Sequence, residues 1–229
     1  MRILHISDFH FHKPWFAWAR RQADQYDAVA FTGDLIGRVD RVSAERQIEW
    51  LTGWVENFPG RLLLCSGNHD ERWDDVPPTL QNWVGDLRFG HVTTDNQCAR
   101  IDSWNFECVS WGGVPSRGGS KQITLMHCPP HGADTGISDL EGIDYGCPDL
   151  AQILQGGSPL VPPWLVLSGH IHRPRKWHQR IARSWSLSPG CGRSLEEPNH
   201  IRLDLGRGLA EYHSAGCPAE TLKLRPSGE

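Results

Sequence analysis

The chain has 229 residues, 38% hydrophobic and 22% charged, which is enough for a self-sufficient core of one domain spanning 1–229. Eleven Trp, seven Phe and three Tyr exclude a solvated low-complexity chain. A net charge of −4 excludes a globally basic surface for a long nucleic-acid backbone. Seven cysteines without a CxxC pair read as reduced thiols. No apolar window approaches a membrane span, and the first residues form a stretch too short and too interrupted for a signal peptide, so cytoplasmic residence is expected.

The first half alternates strand and helix. Apolar runs Ile3–Ile6, Ala28–Phe31 and Leu62–Cys65 end abruptly in small or acidic residues, as strands buried on both faces do. Pro14 suits the first turn of a helix covering Trp15 to Gln25. Ser43 can cap a second helix, whose Ile48, Leu51, Val55 and Phe58 follow helical spacing. This order predicts parallel pairing and α/β architecture. From Leu87 the pieces shorten: Arg88–Val92, Gln97–Ile101, Asn105–Trp111 and Gln122–Met126 read as hairpins of a second sheet. His127–Pro148 is too rich in turn residues for regular structure and reads as a long functional loop. A short helix at Asp149–Gln155 and a strand at Trp164–Leu167 follow, and Trp185–Leu187, Ile201–Leu205 and Leu209–His213 read as antiparallel strands. Two stacked sheets flanked by helices is the expected layout. Trp15, Trp18, Trp50, Trp54 and Trp73 are expected to anchor helices and loops on those sheets.

The metal-capable side chains fall just past predicted strand ends: Asp8 and His10, Asp34, Asn68 and His69, His127, then His170 and His172. In an open α/β sheet that edge is where sites assemble. Any one of these histidines alone would be unremarkable, but five segments delivering ligands to one edge point to a single site. Mixed nitrogen and oxygen donors suit Mn, Fe or Zn. Seven candidates (Asp8, His10, Asp34, Asn68, His127, His170, His172) exceed one tetrahedral ion and are enough for two ions sharing a carboxylate, a centre suited to displacement at phosphorus.

The segments Asp8-Phe9-His10, Gly33-Asp34, Gly67-Asn68-His69-Asp70, His127 and Gly169-His170-Ile171-His172 resemble, in order and spacing, the signature of calcineurin-like metallophosphoesterases. The resemblance implies a four-layer αββα sandwich of two mixed β-sheets. It also implies one metal on Asp8, His10 and His172, a second on Asn68, His127 and His170, and Asp34 bridging both. His69 takes the catalytic position, beside the second metal, where an imidazole can protonate the leaving oxygen. Asp70 is expected to brace a ligand or cap the turn, and Cys128 to pack rather than react. Protein Ser/Thr phosphatases of this superfamily carry an Asp where this chain has Gly37, so that subclass is disfavoured. Arg38 keeps their Arg and is the candidate phosphate contact. Cys128-Pro129-Pro130 resembles small bacterial members acting on phosphodiesters or phosphomonoesters, and the length leaves no room for the capping domain of the repair nucleases. Small nucleotides or cyclic nucleotides are therefore the expected substrates. A nuclease, and a binding scaffold of the same fold, are the competing readings. His12, His131 and Arg117 can line the pocket or lie in solvent.

Overall fold

A computed structural model of the protein describes residues 1–71, 76–192 and 194–224. The apolar runs of the first half form β1 (Arg2–Ile6), β2 (Ala28–Thr32) and β3 (Leu62–Cys65), joined by α1 (Lys13–Gln22) and α2 (Ala44–Glu56). All three strands are parallel, in register from Ile3 opposite Ala28 to Thr32 opposite Cys65. A one-turn α3 (Asn68–Glu71) and a short α4 (Trp83–Asp86) lead to β4 (Val92–Thr93), which pairs parallel with β3. The second sheet holds β5 (Gln97–Ile101), β6 (Trp104–Cys108), β7 (Gly119–Leu125), β8 (Pro163–Leu167), β9 (His178–Ile181) and β10 (Ser184–Leu187), with α5 (Pro148–Leu154) between β7 and β8. The chain returns to the first sheet through β11 (His200–Asp204), β12 (Leu209–His213) and β13 (Glu220–Lys223). Strand orders are β13-β12-β11-β1-β2-β3-β4 and β5-β6-β7-β8-β10-β9. Both sheets are mixed: β11 runs antiparallel to β1, and β5 and β9 run antiparallel to their neighbours.

The period of two along each strand sorts its side chains into layers. Leu4, Ile6, Val29, Phe31, Leu62 and Leu64 face outward against Trp15, Phe16, Leu51 and Trp54 of the first two helices. Ile3, Ala28, Ala30, Leu63 and Cys65 face inward against Phe106, Ile123, Leu125, Leu165 and Leu167. On the far side Leu150 and Leu154 of α5 cover Val109, Met126 and Val166. The result is the four-layer αββα sandwich. Each fully buried Leu, Ile or Phe contributes about 1.5–3 kcal/mol relative to exposure.

Several expectations are corrected. Arg88–Val92 is not a strand of the second sheet; only Val92–Thr93 is extended, at the edge of the first. The second sheet has hairpins only at β5–β6 and β9–β10, since β6, β7 and β8 are parallel and the excursions between them supply the crossovers. Trp185–Leu187 belongs there too, parallel to β8, rather than with the terminal strands. The polar β9 and β13 gave no hydrophobic signal: they are edge strands whose side chains face mostly water. Ser43 does occupy the N-cap of α2, but its side chain makes no capping hydrogen bond to the helix backbone. Trp15, Trp18 and Trp54 are buried anchors and Trp50 packs against them; Trp73 lies outside the described residues. Among the described residues no helix is long and apolar enough to cross a membrane.

Candidate metal centre

The C-terminal ends of β1, β2, β3, β7 and β8 lie side by side, and each delivers its polar residues to one place. The backbone there is strained: Asp8 (φ 58°), His10 (43°), Asp34 (55°) and His170 (68°) all occupy the left-handed region that non-glycine residues avoid. Such strain persists only where the surroundings over-determine it. Here Asp8 N donates to Gly33 O at 3.1 Å, His10 N to Asp34 O at 3.0 Å and Phe11 N to Leu35 O at 2.8 Å, zipping the first two loops together. Close approach demands glycine as well. A Cβ on Gly67 would collide with the amide nitrogen and Oδ1 of Asp34, and one on Gly33 would meet the His127 ring.

Two donor clusters result. Ligand atoms of Asp8, His10, Asp34 and His172 all lie within 4.8 Å of one another, with His10 Nε2 2.8 Å from His172 Nε2 and His172 Nε2 3.7 Å from Asp8 Oδ1. Beside them, Asn68 Oδ1 lies 2.9 Å from His170 Nδ1 and 3.2 Å from His127 Nε2. Asp34 Oδ2 stands between the clusters, 3.7 Å from His10 Nε2 and 3.4 Å from His127 Nε2. His69 is at the mouth, its Nε2 4.0 Å from Asp34 Oδ2 and its ring edge-on to His10. All eight site residues read from the sequence, the seven ligand candidates and His69, therefore meet. Arg38 is exposed on a hollow of ≈ 350 Å³ formed by residues of the 36–47 segment, and the residue before it, Gly37, runs against His10.

The electrostatics favour cations. Burial works against the ionised Asp34, yet His127, with His10 and His69 behind it, holds its carboxyl well below the usual carboxylate range. Burial likewise opposes a charged His127, but Asp34 outweighs it and raises the ring to about 9. That pair holds a proton where a metal ion would replace it. Burial, reinforced by His127, lowers His170 to about 4, and burial lowers His10 despite Asp34 and Asp8, leaving neutral imidazoles, the form that ligates a metal. Asp8 Oδ2 is buried with no hydrogen-bond partner. Orphaned and converging acceptors of N and O type fit two transition-metal ions, and His127 Nδ1 is already fixed by donating to Thr32 O at 2.7 Å, which aims Nε2 inward.

Supporting residues complete the cradle. Asp70 both braces and caps: its buried carboxylate accepts from Gly67 N at 2.8 Å and from Leu35 N and Ile36 N at 3.1 Å, tying the β2 and β3 loops together. Gly37 cannot be the Asp of the protein phosphatases, because a Cβ there would lie 2.7 Å from His10 Cβ. Cys128 packs, its Sγ donating to Tyr145 O at 3.2 Å and its thiol pushed up to about 12 by burial. His12 Nε2 bonds Leu195 O, His131 pairs with Asp144, and Arg117 lines a cavity at the opposite, N-terminal ends of the parallel strands. Sequence reasoning missed Trp111, whose ring packs on both His127 (5.6 Å) and His170 (5.4 Å) and whose backbone N–H donates to Ser66 Oγ. It follows β6 at the same sheet edge, so the rule that located the histidines applies to it equally.

A sandwich whose strand ends gather this Asp/His/Asn set defines a metal-dependent hydrolase of phosphate esters. The chain belongs to the calcineurin-like phosphoesterase family, which it matches over residues 1–174, and the family implies a dinuclear metal centre. It is 30% identical over 189 residues to the Gene 66 protein of Mycobacterium phage L5, across 80% of this chain and 82% of that protein. Among solved structures it is similar to the purple acid phosphatase PPD1 from yellow lupin seeds, with a TM-score of 0.60 and 13% identity over 97% of this chain and 53% of that one. It is also similar to the sulfate thiohydrolase SoxB of Thermus thermophilus, with a TM-score of 0.54 and 12% identity over 97% of this chain and 56% of that one. At these identities the two structures share the fold.

Proposed function

We propose that the protein hydrolyses phosphomonoesters or phosphodiesters of small soluble substrates, of the nucleotide or cyclic-nucleotide type, at a centre of two Mn, Fe or Zn ions. Asp8, His10 and His172 would hold one ion, Asn68, His127 and His170 the other, and Asp34 both. The observation that carries this reading is the position of Asp34 Oδ2 within 3.7 Å of a histidine from each cluster. When bound, two such ions lower the pKa of water and offset charge developing on the phosphoryl oxygens.

The chain's own groups do the rest. The His69 amide donates to Asp34 Oδ1 at 2.9 Å, so one residue fixes the shared carboxylate and presents an imidazole at the mouth. Its ring, 22% exposed, holds the proton that passes to the leaving oxygen. Trp111 shields one side of His127 and His170 from water. Long nucleic acid is not the expected substrate at a net charge of −4, and seven free cysteines support a reducing, cytoplasmic setting.

His69→Ala tests the role assignment. It is expected to keep both metals and lose about 10²–10⁴ of turnover on an aryl phosphate; loss of metal instead removes His69 from catalysis and makes it a ligand. If wild type loaded with Mn, Fe or Zn hydrolyses neither an aryl phosphate nor an aryl phosphodiester, the scaffold reading replaces this one.

A further inference from the structure

Beside the centre lies a cleft of ≈ 240 Å³ that shares His170 and His172 with it and is otherwise walled by Ser138, Leu140, Glu141, Tyr145, Ile171 and Arg173. Leu140 and Tyr145 are 66% and 41% exposed, unusual for apolar and aromatic side chains next to a polar site. Tyr145 is not loosely held. Tyr145 N donates to Gly136 O and its carbonyl accepts from Cys128, its hydroxyl donates to Glu141 Oε2 at 3.0 Å, and its ring stands edge-on to His170. The two walls are themselves bonded, Asp139 N to Arg173 O and Arg175 N to Ile137 O, both at 2.9 Å. The cleft is thus preformed.

Its charge is equally specific. Arg175 and Lys176 are engaged by Asp134, at 3.6 and 2.8 Å. Arg173, next in sequence to His172, has no carboxylate at ion-pair distance among the described residues, and it borders the cavities on both sides of His172. The carboxylate in the cleft wall, Glu141, is engaged by the Tyr145 hydroxyl, so the Arg173 guanidinium in the same wall is the group left for an anion with oxygens to spare, which is a phosphate. A cleft of ≈ 240 Å³ has room for one planar ring.

Resting on the phosphoesterase reading, we propose that this cleft is the leaving-group site, that it selects phosphate esters whose leaving group carries a planar ring, and that Arg173 binds their phosphate. The ring lies against Leu140 and Tyr145, and the phosphate reaches the centre between His170 and His172.

Phenylphosphonate and ethylphosphonate carry no ester bond to hydrolyse, so their affinities for the Mn-loaded protein can be measured by calorimetry apart from turnover. Wild type is expected to bind phenylphosphonate about tenfold more tightly. Leu140→Ser and Tyr145→Ala should shrink that ratio to about two, and Arg173→Gln should weaken both ligands about tenfold while keeping the ratio. Equal affinities in wild type, a ratio that survives both wall substitutions, or an Arg173→Gln protein with unchanged affinities overturns the proposal. Turnover of 4-nitrophenyl phosphate by the same preparations separates the two readings: turnover without the ratio removes the cleft and keeps the phosphoesterase, and the ratio without turnover does the reverse.

Discussion

Gly67 offers a way to disturb the shared carboxylate without touching a ligand. Its backbone does not need a left-handed conformation, so alanine is opposed by space alone. The added Cβ would fall onto the amide nitrogen and Oδ1 of Asp34 and 2.9 Å from its Cγ, where ordinary contact begins at 3.4 Å. Asp34 must therefore retreat by about 1 Å, several times the ~0.2 Å tolerance of a metal–ligand distance. Its Oδ2 serves both clusters, so both sites suffer: Gly67→Ala should weaken metal binding by about 10–100-fold. Overpacking of about 1–3 kcal/mol lowers the melting temperature by about 2–12 °C for a chain of this size. Gly53 is the control, because a Cβ there meets nothing within 4 Å on helix α2; alanine should stabilise by about 0.5–1 kcal/mol. Metal content by mass spectrometry after dialysis, with thermal melts, reads both. A Gly67→Ala protein that keeps wild-type metal affinity refutes the claim that Asp34 is the shared ligand.

Two further outcomes follow from buried polar groups. Asp70→Asn places an amide N–H₂ against the Gly67 N–H or against those of Leu35 and Ile36, and should cost about 1–3 kcal/mol of stability in denaturant melts; an unchanged midpoint would mean the carboxylate does not brace the loops. Burial lowers His5 to about 3 and His200 to about 4, from 6.5 in the unfolded chain. Below pH 6.5 the unfolded state then takes up protons that the folded state does not, so stability falls with pH, by ~1.4 kcal/mol per unit for each histidine until its folded value is reached. His200→Phe keeps a ring between Trp18 and His213 and should remove one such contribution between pH 6 and 4.5; identical slopes for variant and wild type would contradict the buried, neutral His200.

The sequence made the site more legible than the sheet pairing. Asp8, His10, Asp34, Asn68, His127, His170 and His172 were readable because a parallel strand's end fixes where its next residues go, and apolar runs mark strand ends clearly. Partner choice is not local. Gln122–Leu125 looks the same whether it pairs antiparallel in a hairpin or parallel across a crossover, and Trp185–Leu187 carries no mark of which sheet receives it. β9 and β13 are polar edge strands, so no core pattern announces them. Trp111 was hidden among eleven tryptophans that composition assigns to packing; only its place at the shared sheet edge singles it out. Arg38 was attractive as a motif neighbour; it follows Gly37, whose N–H and carbonyl are both bonded by Gln47, on a loop that walls a hollow of its own.

The central claim is that one carboxylate joins two metal sites that act together on a phosphate ester. Titrating metal-stripped protein with Mn, while following bound metal and hydrolysis of 4-nitrophenyl phosphate, tests it most directly. The account predicts two ions bound per chain, with activity rising only as the second site fills, and Asp34→Ala losing both. Full activity with one ion, or with none, would contradict it.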